Sequence, residues 1–274
     1  MPLDYQPISP VKHLNAGWKR PARYFYAADD VVAPVVMAEI SHILTSMPLA
    51  FVHADEEAPF QLVAVQSLQP GRNVYVAPDG RWLGQYIPAF YRSYPFRMLA
   101  IGSTTQTALC VDTSQGCFKE QCSDEVEPLF TDDGELSESL ETLKTFISAF
   151  EKNRLMTNQC VSELAAAGVI EPWAVHLSNS ESHVSEAESA HDVKGLHRVN
   201  EAKLKALPAE TLRELAISGA LSVAYAQLFS EQRLEHIGRR YRLHTEWQRH
   251  LSEQTNIEAL LDEEDGDHLF DFGN

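Results

Sequence analysis

Positive charge is scarce in this chain of 274 residues, which has 22 Lys and Arg side chains against 39 Asp and Glu. The formal net charge is therefore −17 at pH 7. Proteins that bind nucleic acid without sequence preference neutralise phosphates with a basic face, so this balance argues against such a role. The partner that we expect is a protein or a peptide, and no nucleic acid.

Long apolar runs are also missing. No uninterrupted stretch approaches the roughly 20 residues that a membrane-spanning helix needs, so no membrane span is expected. The N-terminal sequence MPLDYQPISPVKHLNAGW contains three prolines and an early Asp, but no apolar segment of the kind found in secretory signal peptides. We therefore expect a cytoplasmic protein.

Cysteine is rare, and its spacing is irregular. Cys110, Cys117, Cys122 and Cys160 lack the paired spacing, with ligands roughly two to four residues apart, of zinc knuckles and ribbons. In a reducing cytoplasm we expect four free thiols that pack as small apolar groups. No metal site and no cofactor are predicted.

Short catalytic motifs are absent as well. GxSxG, GxGxxG and GxxxxGK[ST] do not occur, so the sequence indicates neither an activated serine nor a cradle for nucleotide phosphates. His53-Ala54-Asp55 is a weak match to the H-x-(D/E) unit of an iron triad, which also needs a distant His. The histidines between His176 and His197 lack metal-ligand spacing, and exposed rings are the favoured interpretation. No catalytic residue is predicted.

What the chain does contain is one dense segment, GRNVYVAPDGRWLGQYIPAFYRSYPF (71–96). Val74-Tyr75-Val76 alternates before Pro78-Asp79-Gly80, which predicts a hairpin because glycine accepts a positive φ. Pro88 and Pro95 each remove a backbone donor, so any helix between them is short and starts near Pro88.

The aromatic and Arg side chains of this segment have two open interpretations. In the first, they line a groove for a peptide or a planar ligand, since aromatic and Arg side chains are the usual anchors of binding sites. In the second, which is the commoner case in proteins, they pack between sheet and helix with some tyrosine edges exposed. The candidate ligand-binding residues are Trp82, Tyr86, Tyr91, Arg92 and Tyr94.

The same segment resembles the SapC family of bacterial proteins, whose pattern runs G-x-N-L-F-V-D-x-x-G-x-W and then Y-(I/V)-P-A-F-x-R-x-Y-P-F. The resemblance spans roughly residues 23–235 and includes the later segment GLHRVNEAKLKALPAETLRELAISGALSVAYAQLFS. The family is named for a surface-layer gene cluster, and the resemblance implies no established reaction. In the N-terminal half the matching residues are Pro48, Phe51, Leu68, Gly71, Asn73, Val76, Gly80, Trp82, Tyr86, Ile87, Pro88, Ala89, Phe90, Arg92, Tyr94, Pro95 and Phe96.

Strand signals dominate the first part of the chain, and several short strands at near-regular spacing predict an antiparallel or mixed sheet. We expect an extended, Pro-rich strap over 1–22 and a β-rich part over 23–120. A short helix, or a loop followed by a helix, is predicted over 31–47. The strands are predicted at 24–26, 48–54, 60–68, 97–101 and 107–112.

Helix signals follow in a part that we expect to span 121–255 and to share the core. Apolar residues recur at helical spacing after Ser137, the candidate N-cap, as far as Gly168, a natural C-terminal stop. Two further helices and a late strand that returns to the sheet are also predicted, so the fold class is α+β. The two helices are predicted over 209–217 and 220–241, and the strand over 173–177. Two polar segments are also predicted, a mobile loop over 178–192 and an acidic disordered tail over 256–274.

A basic stretch precedes the acidic tail. Arg239, Arg240 and Arg242 are the candidate partner-binding residues, with the tail as a competitor that folds back on them. The alternative is a solvated helix end whose arginines stabilise the last carbonyls and the helix dipole.

Together these features favour a non-enzymatic binding or adaptor protein of SapC type, which engages a protein or peptide through an aromatic–arginine groove. Two alternatives stay open. The first is a subunit or accessory enzyme of an iron- or flavin-dependent oxidative modification system, and the second is a surface-layer-associated factor. The oligomeric state is not indicated by the sequence.

Overall fold

The computed structural model describes residues 3–55, 57–101, 106–175 and 195–265, with the backbone alone described for 251–265. The strands in this part of the chain are β1 (Tyr5–Pro7), β2 (Gly17–Trp18), β3 (Val32–Pro34), β4 (Leu49–Val52), β5 (Gln61–Val65), β6 (Phe96–Ala100), β7 (Thr107–Asp112), β8 (Phe118–Lys119), β9 (Glu127–Pro128), β10 (Ile170–Pro172) and β11 (His197–Val199). The α-helices are α1 (Pro10–His13), α2 (Ile40–Ile43), α3 (Ala89–Arg92), α4 (Glu138–Ala166), α5 (Glu201–Lys205), α6 (Ala209–Ser218), α7 (Ala220–Ser230) and α8 (Leu234–Asp265).

The strands form three antiparallel sheets. The largest has the order β10-β11-β4-β5-β3, so strands from both halves of the chain meet in it. The other two have the orders β1-β7-β6 and β8-β2-β9. With the helices that follow residue 137, this arrangement confirms the predicted α+β class.

The long helix α4 connects the two main regions of the core. Its N-terminal part contributes Leu140 and Ile147 to a cluster with the small sheets, which includes Trp18. Its C-terminal part contributes Val161 and Leu164 to the larger cluster, where the five-stranded sheet packs against the later helices. The first two turns of α4 therefore lie beside the N-terminal segment of the chain, and the groove described below forms there.

Local signals predicted this helix well. Ser137 has extended backbone angles, and its Oγ accepts from the backbone N–H of Leu140 at 3.4 Å. After the helix, Gly168 adopts a φ of +69°, as a C-terminal stop requires. The predicted N-cap and stop are both confirmed.

Three predictions in the first part of the chain need correction. The predicted strand over 24–26 is wrong, because Phe25–Ala27 forms a 3-10 turn in which the Ala27 N–H donates to the Tyr24 carbonyl oxygen. The segment 31–47 opens with β3, which pairs with β5, before the 3-10 turn Met37–Glu39 and α2. The predicted hairpin is reduced to one bridge between Val76 and Trp82, around Gly80 at a φ of +80°.

In the later part, the strand that returns to the large sheet is β10, a few residues before the predicted position. The predicted helix over 220–241 is divided into α7, the 3-10 turn Glu231–Arg233 and α8. The loop predicted over 178–192 lies outside the described residues. So does the end of the predicted tail, whose first part, 256–265, belongs to α8.

Candidate binding groove

A short clamped helix positions one wall of the site. α3 begins directly after Pro88, whose fixed φ suits the start of a helix. The buried Glu39 carboxylate accepts from the backbone N–H of Ala89 at 2.7 Å and from that of Val36 at 3.2 Å. One carboxylate therefore ties the start of α3 to the 3-10 turn that contains it.

Arg92 is exposed, but its direction is fixed by its neighbours. Its Nη2 donates to the Tyr86 hydroxyl at 2.9 Å, and this hydroxyl donates to Glu39 Oε2 at 3.1 Å. The guanidinium carbon lies 5.3 Å from the centre of the Tyr86 ring and 5.1 Å from that of Phe146, within the range of cation–π attraction. Within the described chain, the guanidinium forms no ion pair with a carboxylate.

A groove with a volume of about 410 Å³ lies between the segment 20–26, the α3 corner and the first turns of α4. We call it the aromatic–arginine groove. Ring faces and aliphatic side chains make up most of its lining, together with two arginines and one threonine, and none of the described lining residues is Asp or Glu. The lining residues are Arg20, Pro21, Tyr24, Tyr26, Ile87, Tyr91, Arg92, Tyr94, Thr142, Leu143 and Phe146.

The tyrosines on the inner side of the groove direct their hydroxyls into the protein. The rings of Tyr26 and Tyr94 stack with centroids 3.8 Å apart and planes 8° from parallel. The Tyr26 hydroxyl donates to the carbonyl oxygen of Tyr91 at 3.0 Å, and the Tyr94 hydroxyl donates to the Asp112 carboxylate. What these residues offer to a ligand is therefore ring surface.

The Tyr91 hydroxyl lies between two acceptors, 2.9 Å from Asp30 Oδ2 and 2.7 Å from Gln66 Oε1. A neutral phenol has only one proton to donate. Gln66 Oε1 also accepts from Asn73 Nδ2 at 2.8 Å, which fixes the orientation of the amide. Burial raises the pKa of Asp30. The Tyr91 hydroxyl therefore donates to one of these two acceptors at a time.

Burial also keeps the phenols of the site protonated. It raises the pKa of Tyr86 to about 12, and the nearby Glu39 charge adds to this effect. The pKa values of Tyr91 and Tyr94 are raised further, by burial first and then by contacts with Asp30 and Asp112 respectively. At neutral pH these groups are neutral hydrogen-bonding phenols, and the arrangement is suited to recognition.

The structure divides the five predicted ligand-binding residues into two groups. Tyr91, Arg92 and Tyr94 line the groove, whereas Trp82 and Tyr86 do not belong to its lining. The Trp82 indole N–H donates to the Tyr86 carbonyl oxygen at 2.9 Å, and its ring lies 5.6 Å from that of Tyr91. Trp82 and Tyr86 therefore pack against the α3 corner outside the groove.

Several lining residues were missed because distant segments supply them. Arg20 and Tyr26 come from the N-terminal region, and Thr142 and Phe146 come from α4. Phe146 fits the apolar repeat of α4, and this repeat predicted a buried ring. In the structure the ring is half-buried and lies under Arg92. Arg20 has no local signal that distinguishes it from other surface arginines.

The three predicted partner-binding arginines differ in position. Arg240 is half-buried, with its guanidinium carbon 4.3 Å from the centre of the Tyr75 ring, and it donates to the Leu83 carbonyl oxygen at 3.0 Å. Arg239 and Arg242 are exposed, and Arg239 lies 3.4 Å from the carboxylate of Glu235 on the same helix. Arg240 thus fastens α8 to the body of the protein, while Arg239 and Arg242 face outward.

Among the described residues, no group of three or more His, Cys, Asp and Glu side chains is placed to hold a metal ion. The four cysteines are free thiols; Cys110, Cys117 and Cys160 are buried as predicted, whereas Cys122 is exposed and not packed. No helix in the described segments has the length and apolar character needed to cross a membrane.

The described residues thus form an α+β fold with an aromatic–arginine groove. The chain belongs to the SapC family, because the family's model matches residues 8–237 and so covers the entire described lining of the groove. This match confirms the resemblance seen in the sequence. None of the curated proteins and none of the solved structures matches the chain.

Proposed function

We propose that this SapC protein is a non-enzymatic binding module, which holds a short peptide segment of a protein partner in the aromatic–arginine groove. The observation that carries the proposal is the lining itself, in which ring faces stand beside two guanidinium groups. Mostly apolar walls with a few well-placed polar groups, around a volume of several hundred Å³, are the usual form of a ligand site.

The charge of the groove is opposite to that of the chain. Although the formal net charge is −17, Arg20 and Arg92 are the charged residues of the described lining. Arg92 uses one N–H in its contact with Tyr86, and a guanidinium has five N–H donors. Arginine forms strong, often two-point hydrogen bonds with carboxylates. The peptide that fits best carries Asp, Glu or a terminal carboxylate next to an aromatic or aliphatic residue.

A steric block of the groove tests its use. Thr142 is an exposed lining residue, so Thr142→Trp fills the groove without entering the core. Thr145 is exposed on the same helix but is outside the lining, and Thr145→Trp is the matched control. The probe is a set of fluorescein-labelled peptides with Phe or Tyr beside Asp or Glu, followed by fluorescence anisotropy. We expect Thr142→Trp to weaken binding at least about tenfold, and the control to bind like the wild type.

The role of the arginines is tested separately. Arg20→Ala or Arg92→Ala should weaken binding about tenfold or more, since a hydrogen bond to a charged group contributes about 1.5–3 kcal/mol. Arg213→Ala, which removes an exposed arginine outside the lining, should leave binding unchanged. Equal affinity for peptides with Asp or Glu replaced by Asn or Gln would contradict the role of the arginines. Absence of binding by the whole set, or binding that Thr142→Trp leaves intact, would contradict the proposed function.

A further inference from the structure

Two histidines and a phenylalanine form a ring cluster at one end of the large sheet. His197 opens β11, where it is paired with Phe51 of β4, and His53 follows the end of β4. Phe60 immediately precedes β5. The His53 and His197 ring centroids are 5.0 Å apart, and the Phe60 centroid lies 4.9 Å and 4.8 Å from them. Both histidines are half-buried, so each ring keeps some access to solvent.

Backbone carbonyls determine which ring nitrogens carry hydrogen. His53 Nδ1 contacts the carbonyl oxygen of Asp55, and His197 Nδ1 lies 3.3 Å from that of Gly195. A carbonyl oxygen only accepts, so both Nδ1 atoms are donors, and in the neutral rings both Nε2 atoms carry the lone pair. Metal-binding histidines are usually oriented in this way, by an N–H donated to a backbone carbonyl from the nitrogen that does not bind the metal.

The separation of the rings also suits a shared ion. A metal–nitrogen distance of about 2.0–2.1 Å places the ion about 3.2 Å from each ring centroid. For angles of about 90–110° at the ion, the two centroids are then about 4.5–5.2 Å apart. The observed distance of 5.0 Å falls within this range.

We propose that His53 and His197 form a two-histidine binding site for a divalent transition-metal ion, with one Nε2 from each ring as ligand and water in the remaining positions. Imidazole nitrogen favours Zn²⁺, Ni²⁺ and Cu²⁺ over Mg²⁺ and Ca²⁺.

The site is not the iron triad that the sequence weakly suggested. The Asp55 carboxylate accepts from the backbone N–H groups of Glu57 at 3.1 Å and Ala58 at 2.8 Å, and so closes its own turn. In the described part of the chain no third His, Cys, Asp or Glu joins the pair. A bound ion would instead link β4 to β11, and it would stabilise the fold because it binds only the state that holds both rings together.

Isothermal titration of the full chain with Ni²⁺ at pH 7.5 tests the proposal. The chain has 11 histidines, so the diagnostic result is the loss of one binding equivalent rather than binding in total. His53→Phe and His197→Phe keep a ring against Phe60 but remove the donor nitrogen, and each should lose the same equivalent. His42→Phe is the matched control, since it keeps a ring against Tyr86, and it should retain that equivalent. Lowering the pH to 6 should weaken this equivalent, because protons compete for Nε2.

Two further readouts follow, and the spectrum of the wild-type chain does not depend on how well a variant folds. With one equivalent of Cu²⁺ on the wild-type chain, electron paramagnetic resonance should show hyperfine coupling to two imidazole nitrogens, and His197→Gln should reduce this to one. Saturating Zn²⁺ should raise the melting temperature of the wild type but not of His53→Phe. The proposal is overturned if the phenylalanine variants keep every Ni²⁺ equivalent, or if the wild-type spectrum shows coupling to fewer than two nitrogens.

Discussion

Tyr91 and Arg92 are adjacent in sequence but contribute to the groove in different ways. Each residue of a helix is rotated by about 100° from the one before it, so a single turn directs Tyr91 inward and Arg92 outward. The direction of that turn depends on Glu39, whose carboxylate accepts from the backbone N–H of Ala89 and from the Tyr86 hydroxyl. Glu39 is buried and does not line the groove, yet it fixes the orientation of Tyr91 and Arg92, which do line it.

Glu39→Ala should be strongly destabilising. The substitution leaves the N–H groups of Val36 and Ala89 without their acceptor, and each unsatisfied buried group costs about 1–3 kcal/mol. We expect a loss of about 2–4 kcal/mol in the free energy of unfolding, measured by urea denaturation. Glu141→Ala removes an exposed glutamate from α4 and should change this free energy by less than about 0.5 kcal/mol. Equal losses for both variants would contradict the role of Glu39.

At the scale of the element, the joint between α6 and α7 depends on one glycine. Gly219 has a φ of +91°, and a Cβ at this position would lie 2.9 Å from the Cε of Met37. The left-handed conformation costs other residues about 1–2 kcal/mol, so Gly219→Ala should lower the free energy of unfolding by at least this amount. Gly238 lies inside α8 with open space around it, and Gly238→Ala should raise the free energy by up to about 1 kcal/mol. Chemical denaturation of both variants shows whether the signs differ.

The packing of α8 on the rest of the fold depends on one hydroxyl group. The Tyr241 hydroxyl accepts from the backbone N–H of Leu68 at 2.8 Å and also contacts Ser67 Oγ. Tyr241→Phe should cost about 1–3 kcal/mol, since the Leu68 N–H loses its partner. Hydrogen exchange of the α8 amides should become faster at the same time. Tyr225→Phe keeps the ring beside Phe229 and is the control, with little change expected in either measurement.

The elements also show what the sequence was able to predict. α4 was found with its N-cap and its stop because periodicity, Ser137 and Gly168 are local signals. β3 was missed because its extended form depends on pairing with β5, whose partner residues are about thirty positions away in the chain. Only one wall of the groove was predicted, for the same reason. Tyr91, Arg92 and Tyr94 share one marked segment, whereas the opposite wall comes from α4.

For the whole molecule, two buried groups, His244 and Glu39, make the free energy of unfolding depend on pH in opposite directions. Burial lowers the pKa of His244, and the nearby charges of Arg72 and Arg240 lower it further. Just below pH 6.5 the unfolded chain therefore binds more protons at this histidine than the folded protein does. Burial raises the pKa of Glu39, so at this group the folded protein binds more protons above about pH 4.5. Lowering the pH consequently destabilises the fold through His244 and stabilises it through Glu39.

Two substitutions separate these contributions between pH 7.5 and pH 5. His244 Nε2 donates to the Val74 carbonyl oxygen at 3.2 Å, and the amide of His244→Gln retains a donor without a titrating ring. His244→Gln should therefore lose less free energy of unfolding than the wild type does over this range. Glu39→Gln removes the group whose protonation stabilises the fold, so this variant should lose more free energy of unfolding than the wild type does. Urea denaturation at four or five pH values measures both slopes. Parallel slopes for the wild type and His244→Gln would show that this histidine titrates alike in the folded and unfolded chain, contrary to its burial where α8 contacts Val74.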